Sequence, residues 1–95
     1  MRMLLKVQME VEAANRAIKD GTLPKIIQHF TETAKPEGVW FTALGGKRTM
    51  VAVFDLASTA QIPPLAEPFF TGLNATFEMS PAMDMADLQA GLSNL

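Results

Sequence analysis

Residues 38–56, GVWFTALGGKRTMVAVFDL, decide the fold. β-Branched and aromatic residues fill both ends of this stretch, and Gly45-Gly46 lies between them. Paired glycines permit the positive φ angles of a tight hairpin, so residues 39–44 and 49–56 read as strands folded back at Gly45-Gly46-Lys47-Arg48. A two-residue loop would set Thr42 opposite Thr49, and a four-residue loop would set it opposite Val51. In both registers Trp40, Thr42, Val51 and Val53 share one face, because side chains alternate along a strand. Val39, Phe41, Met50, Ala52 and Phe54 share the other. Both faces are largely apolar, so both require cover.

Upstream, residues 3–10 alternate in the same way. Met3, Leu5, Val7 and Met9 form an apolar face, and Leu4, Lys6, Gln8 and Glu10 form a mostly polar one, the period-2 signature of a strand. Residues 11–20 read as a short helix closed by Gly21. Thr22 then restarts a helix as N-cap, with Pro24 tolerated in the first turn. Leu23, Ile26, Ile27, Phe30 and Ala34 follow on one helical face, until Pro36 and Gly38 end it.

Downstream, residues 58–72 keep helical spacing through Ile62, Leu65, Ala66, Phe69 and Phe70. Pro63 and Pro64 suit a first turn, whereas Pro68 should free the carbonyl of Pro64 and bend the helix. Gly72 is expected to close it. Residues 74–80 alternate again, with Ala75, Phe77 and Met79 on one face and Thr76, Glu78 and Ser80 on the other. Asp84 and Asp87 cap a last short helix with a narrow stripe of Leu88, Leu92 and Leu95.

The order is β-α-β-β-α-β plus a C-terminal helix: an α+β, ferredoxin-like chain with one four-stranded antiparallel sheet and two helices on one face. Its 95 residues suffice for a single domain, 1–95, with a thin stability margin. There is no cysteine to supply disulfides or thiolate metal ligands. No run approaches the ~20 apolar residues of a membrane span, and Lys6, Gln8 and Glu10 interrupt any signal-peptide core. The expectation is a cytoplasmic protein that binds no membrane. A net charge of −2 argues against non-specific nucleic-acid binding. All eight basic residues precede Met50, which reads either as a chance polarity of a small protein or as complementary halves that meet across a subunit contact.

The second sheet face points to a partner. Trp40, Leu44, Val51 and Val53 there should expose a few hundred Å², about the largest apolar patch a soluble monomer tolerates. A second copy stacked face to face about a two-fold axis is the economical cover, which makes the expected partner the chain itself. The runs MRMLLKVQ, AIKDGTLPKII, FTALGGKRTMVAVFDL and AEPFFTGLNATFEMSP resemble a family of small bacterial proteins of unknown function within the dimeric α/β-barrel superfamily. The resemblance spans nearly the whole chain and implies the fold and a homodimer. The superfamily contains cofactor-free monooxygenases, haem-degrading enzymes, isomerases and polyketide cyclases, so it does not fix an activity.

The strongest site candidate is the polar set on that second face: Lys6 and Gln8 on a central strand, Thr76 and Glu78 on its neighbour, with Trp40 and Thr42 on the hairpin. A Lys6–Glu78 pair beside an indole would make an apolar pocket with a few convergent polar groups. The plainer alternative is an ion pair that fixes strand or subunit register. His29, the one histidine, falls beside its helical stripe and reads as a surface residue, with no second histidine for a metal. No nucleophile motif accompanies it.

Haem-degrading members of the superfamily carry an axial histidine on the second helix. Residues 62–71 have none, so haem is not carried over. Gly45-Gly46 is a turn and not a nucleotide fingerprint, which leaves no cofactor expected. The first and third strands lack the paired aromatics of RNA-recognition domains. The sequence therefore predicts a homodimeric domain with a pocket between sheet and helices or between sheets. That pocket would bind an apolar or aromatic metabolite, as in a cofactor-independent enzyme of monooxygenase, isomerase or cyclase type. The alternative is a non-catalytic structural or protein-interaction module.

Overall fold

A computed structural model describes residues 1–95. Its elements run β1 (Arg2–Gln8), α1 (Val11–Asp20), α2 (Thr22–Ala34), β2 (Gly38–Leu44), β3 (Lys47–Asp55), a 3₁₀ turn at Thr59–Gln61, α3 (Ile62–Leu73), β4 (Thr76–Pro81) and α4 (Met85–Leu92). The strands form one antiparallel sheet in the order β2-β3-β1-β4. This is the ferredoxin-like arrangement, with a helix added after the last strand.

The hairpin closes with a two-residue turn. Gly45 and Gly46 both take positive φ, 59° and 76°, which matches the twist of the flanking strands. Thr42 therefore opposes Thr49. That register turns Met50, Ala52 and Phe54 inward, where they join Met3, Leu5 and Val7 of β1 under the helices. Phe30 of α2 is the centre of this layer. Its ring meets Phe54 edge-on at 5.8 Å and Phe69 of α3 at 5.9 Å, both within the favourable range for aromatic pairs.

Three local expectations are corrected. Glu10 does not extend the sheet face; the chain turns there, and its carboxylate accepts hydrogen bonds from the N–H groups of Ala13 (2.6 Å) and Glu12 (3.2 Å) as the N-cap of α1. Thr22 is the first residue of α2, and the N-cap is Gly21, which serves both helices in a left-handed conformation. Gly72 does not end α3. It lies inside the helix where α2 approaches, and a Cβ there would come within 2.6 Å of Ile26 Cδ1. Asn74, at φ 48°, supplies the stop. Helix α3 continues through Pro68.

Phe41 is on the helix-side face with Met50, as alternation requires, yet it is 56% exposed while Met50 is fully buried. The helices cover the inner strands and leave the outward edge of β2 bare. No helix is long and apolar enough to cross a membrane.

Two outcomes follow for stability. Phe30→Ala should cost about 3–5 kcal/mol, much of the roughly 5–14 kcal/mol available to a domain of this size, and urea midpoints measure it. Glu10 is held below the usual carboxylate range by its two backbone hydrogen bonds. A depressed folded-state value means that the charge stabilises the fold above the ordinary value of 4.5, a contribution lost as pH falls through the folded value. Glu10→Ala should thus lower the melting temperature at pH 7, and the deficit should shrink as the pH falls below 4.5.

Candidate functional site

Strand register builds the open sheet face as transverse rows. The first is Trp40–Val51–Lys6–Glu78, one residue from each strand in the order β2, β3, β1, β4. The second is Thr42–Thr49–Gln8–Thr76, and the third is Gly38–Val53–Leu4–Ser80. Neighbouring strands are about 4.8 Å apart, so a row runs about 14 Å from indole to carboxylate. All six residues singled out in the sequence fall in the first two rows.

Each row has a different chemistry. In the first, Lys6 directly opposes Glu78, but the ion pairs of the molecule form elsewhere, at Met1–Asp55 and around Arg2. Lys6 is half-buried and Glu78 exposed, so water competes for both charges in a single protomer. In the second row Gln8 is committed locally. Its Nε2 donates to Leu44 O at 2.8 Å and to Thr49 Oγ1 at 3.4 Å, and the Thr49 hydroxyl donates to Lys47 O at 3.1 Å. Gln8 thereby ties β1 to the end of the hairpin and covers Thr49, the one buried polar residue. Only the Gln8 amide oxygen remains to meet a ligand.

Trp40 is 59% exposed and leans along its strand across Gly38. A Cβ at Gly38 would collide with Cη2 of the indole and lie 2.9 Å from Cζ2, so the missing side chain is what makes room for the ring there. Leu4 (42% exposed) and the half-buried Val51 and Val53 extend this apolar floor.

The site also has a margin that sequence reasoning missed. Arg2 has the same parity as Leu4 and Lys6, a signal that could have placed it on this face. Its guanidinium reaches Glu37 at 3.2 Å, Asp84 at 3.4 Å and Asp87 at 3.8 Å. The hydrogen bond and charge of Glu37, then those of Asp84, hold Arg2 still more firmly protonated than usual. Asp84 is held below the carboxylate range, first by the backbone N–H of Asp87 and then by the Asp87 side chain and Arg2.

Of the two places expected for a pocket, the space between sheet and helices is filled by Phe30, Phe54, Phe69 and Leu73, and no cavity opens there. His29 is exposed on α2, and no three metal-ligating side chains cluster anywhere.

Fold and site together define a small ferredoxin-like α+β domain with one helix-covered and one open sheet face. The chain belongs to the family described as Domain of unknown function (DUF3303), which matches it over residues 1–95. No curated protein matches the sequence.

Trp40 is the one tryptophan, and there is no tyrosine, so indole fluorescence reports this face alone. Gly38→Val should lift the ring and shift its emission. His29→Ala should change neither emission nor melting temperature; a lowered melting temperature would show that His29 supports the helix layer rather than lying free on its surface.

Proposed function

We propose that two copies stack their open sheet faces about a two-fold axis, as a dimeric α/β barrel, and hold a small apolar or aromatic molecule between the sheets. The row Trp40–Val51–Lys6–Glu78 carries this reading, because it sets an aromatic surface, an aliphatic floor and two opposite charges side by side. Ligand sites combine mostly apolar walls with a few directed polar groups in this way. Trp40 packs the molecule, and Thr42 and Thr76 offer hydroxyls at its edge. Lys6 and Glu78 orient it or move a proton, as a cofactor-independent catalyst requires. Exclusion of water by the second sheet strengthens the interaction between those charges and raises the cost of leaving either unpaired. A cytoplasmic location is part of the proposal, compatible with the cysteine-free composition.

The second reading is a non-catalytic interaction module. The Gln8 side chain favours it, since its donors serve the hairpin rather than the open face. In that reading Lys6 and Glu78 fix register between strands or subunits.

Sedimentation at micromolar concentration should give about twice the 10.3 kDa protomer mass. Trp40→Asp should dissociate or unfold the dimer by placing an unpaired charge in the contact. A stable wild-type monomer would sink the face-to-face arrangement.

Lys6→Met and Glu78→Leu should each cost roughly 3–5 kcal/mol if the pair is buried between sheets, with the double variant largely rescued. Native mass spectrometry of the purified protein separates the two readings. A binding pair predicts a co-purifying small molecule, lost from both singles and from the stable double. A register pair predicts rescue with no bound molecule in any of them. Three melts that match wild type would show solvated charges and remove the site.

A further inference from the structure

Helix α4 is fully formed yet unsupported. Asp84 and Asp87 close a reciprocal capping box at its start: the Asp87 N–H donates to Asp84 Oδ1 at 2.8 Å, and the Asp84 N–H donates to Asp87 Oδ2 at 3.1 Å. None of its residues is buried, and no other element packs substantially against it. Leu88 and Leu92, one turn apart on the same side, are 41% and 55% exposed. Eight residues are too few for an isolated helix in water, where about 12–15 are already marginal. The apolar stripe therefore needs a surface that its own protomer does not offer.

The base of this arm is fixed. The Ala82 N–H donates to Arg2 O at 3.0 Å, and the Arg2 guanidinium binds Asp84 and Asp87. Arg2 shares parity with Leu4 and Lys6, so it anchors the arm at the margin of the open sheet face. The start of the arm therefore lies beside any molecule that covers that face.

Size points to a second copy as that molecule. The accessible surface is 6033 Å², against about 5,350 Å² for a compact monomer of this mass. The radius of gyration is 14.9 Å, against about 12.4 Å for a compact chain of this length. The excess surface is of the same order as the roughly 800 Å² that each partner contributes to a standard interface. Residues 1–48 carry eight basic and five acidic side chains, a net +3, and residues 49–95 carry five acidic and no basic ones, a net −5. The two halves interleave in the sheet, in the order β2-β3-β1-β4, so this asymmetry runs along the sequence and not between opposite sides of the protomer.

We infer that α4 is an exchanged arm: with Arg2 as its anchor, it lays Leu88 and Leu92 on a second copy docked at the open sheet face. This rests on the face-to-face reading and adds the element that clasps the pair.

The test compares wild type, the double variant Leu88→Asp/Leu92→Asp, Arg2→Met and Trp40→Asp by sedimentation from nanomolar to micromolar concentration. Backbone hydrogen exchange monitors β1 and β3, so that loss of dimer is not confused with unfolding. The arm variant should raise the dimer dissociation constant tenfold or more, with β1 and β3 still protected. Arg2→Met should raise it less. In wild type, α4 amides should be protected at micromolar concentration and exchange freely on dilution. An unchanged constant in the arm variant, or α4 protection independent of concentration, overturns the inference. If Trp40→Asp dissociates and the arm variant does not, the arm inference fails alone and the sheet contact stands. The converse removes the sheet contact and with it the placement of the arm at that face, leaving a dimer held by α4 elsewhere, whereas a monomeric wild type removes both.

Discussion

The whole molecule depends on the register of one turn. Gly45 and Gly46 admit two successive positive φ angles, and this permits a two-residue connection that pairs Thr42 with Thr49. A slip by one residue would exchange the faces of a strand. Met50, Ala52 and Phe54 would then lose the Phe30 and Phe69 layer, and Val51 and Val53 would go inward in their place. Core and open face are two consequences of the same geometry.

Polar groups on the open face divide into those used by the protomer and those left over. Gln8 and Thr49 spend their donors on the carbonyls of Leu44 and Lys47, which stiffens the end of the hairpin. Arg2 draws together three carboxylates from the segments before β2 and after β4. Lys6 and Glu78 face each other with no such engagement. Their capacity is unspent in the protomer, in the same transverse row as an exposed indole.

Most of the architecture was legible where a pattern was both periodic and punctuated. Helix α1 ended where Gly21 said it would, and the parity of every hairpin residue followed from alternation. The failures have local causes. Glu10 continued an alternation that the backbone had already left, because a capping carboxylate and a strand residue look alike in sequence. Gly72 read as a stop because glycine serves both as a helix terminator and as a point of close helix approach. Asn74 was the terminator, and its tolerance of the left-handed region gave the only cue. Exposure of Phe41 could not be read at all, since it depends on how far the helix layer reaches across the sheet. The six candidate site residues were found on one face because parity alone brings them together. Their chemistry was not legible, since hydrogen bonds such as Gln8 to Leu44 depend on rotamer and twist.

The bare edge of β2 has a consequence for how the chain must be made. Residues 39–44, VWFTAL, are rich in β-forming side chains and contain neither charge nor proline. They occupy an edge strand whose outward backbone groups have no partner strand. Segments of this kind template cross-β stacking when left open, and natural sheets blunt them with charges, bulges or a covering element. Here the flanking charges, Glu37 before β2 and Lys47 and Arg48 across the turn on β3, lie outside the segment. The newly synthesised protomer thus carries an adhesive strip until something masks it. A cover over that edge would guard the chain against fibrillar self-association.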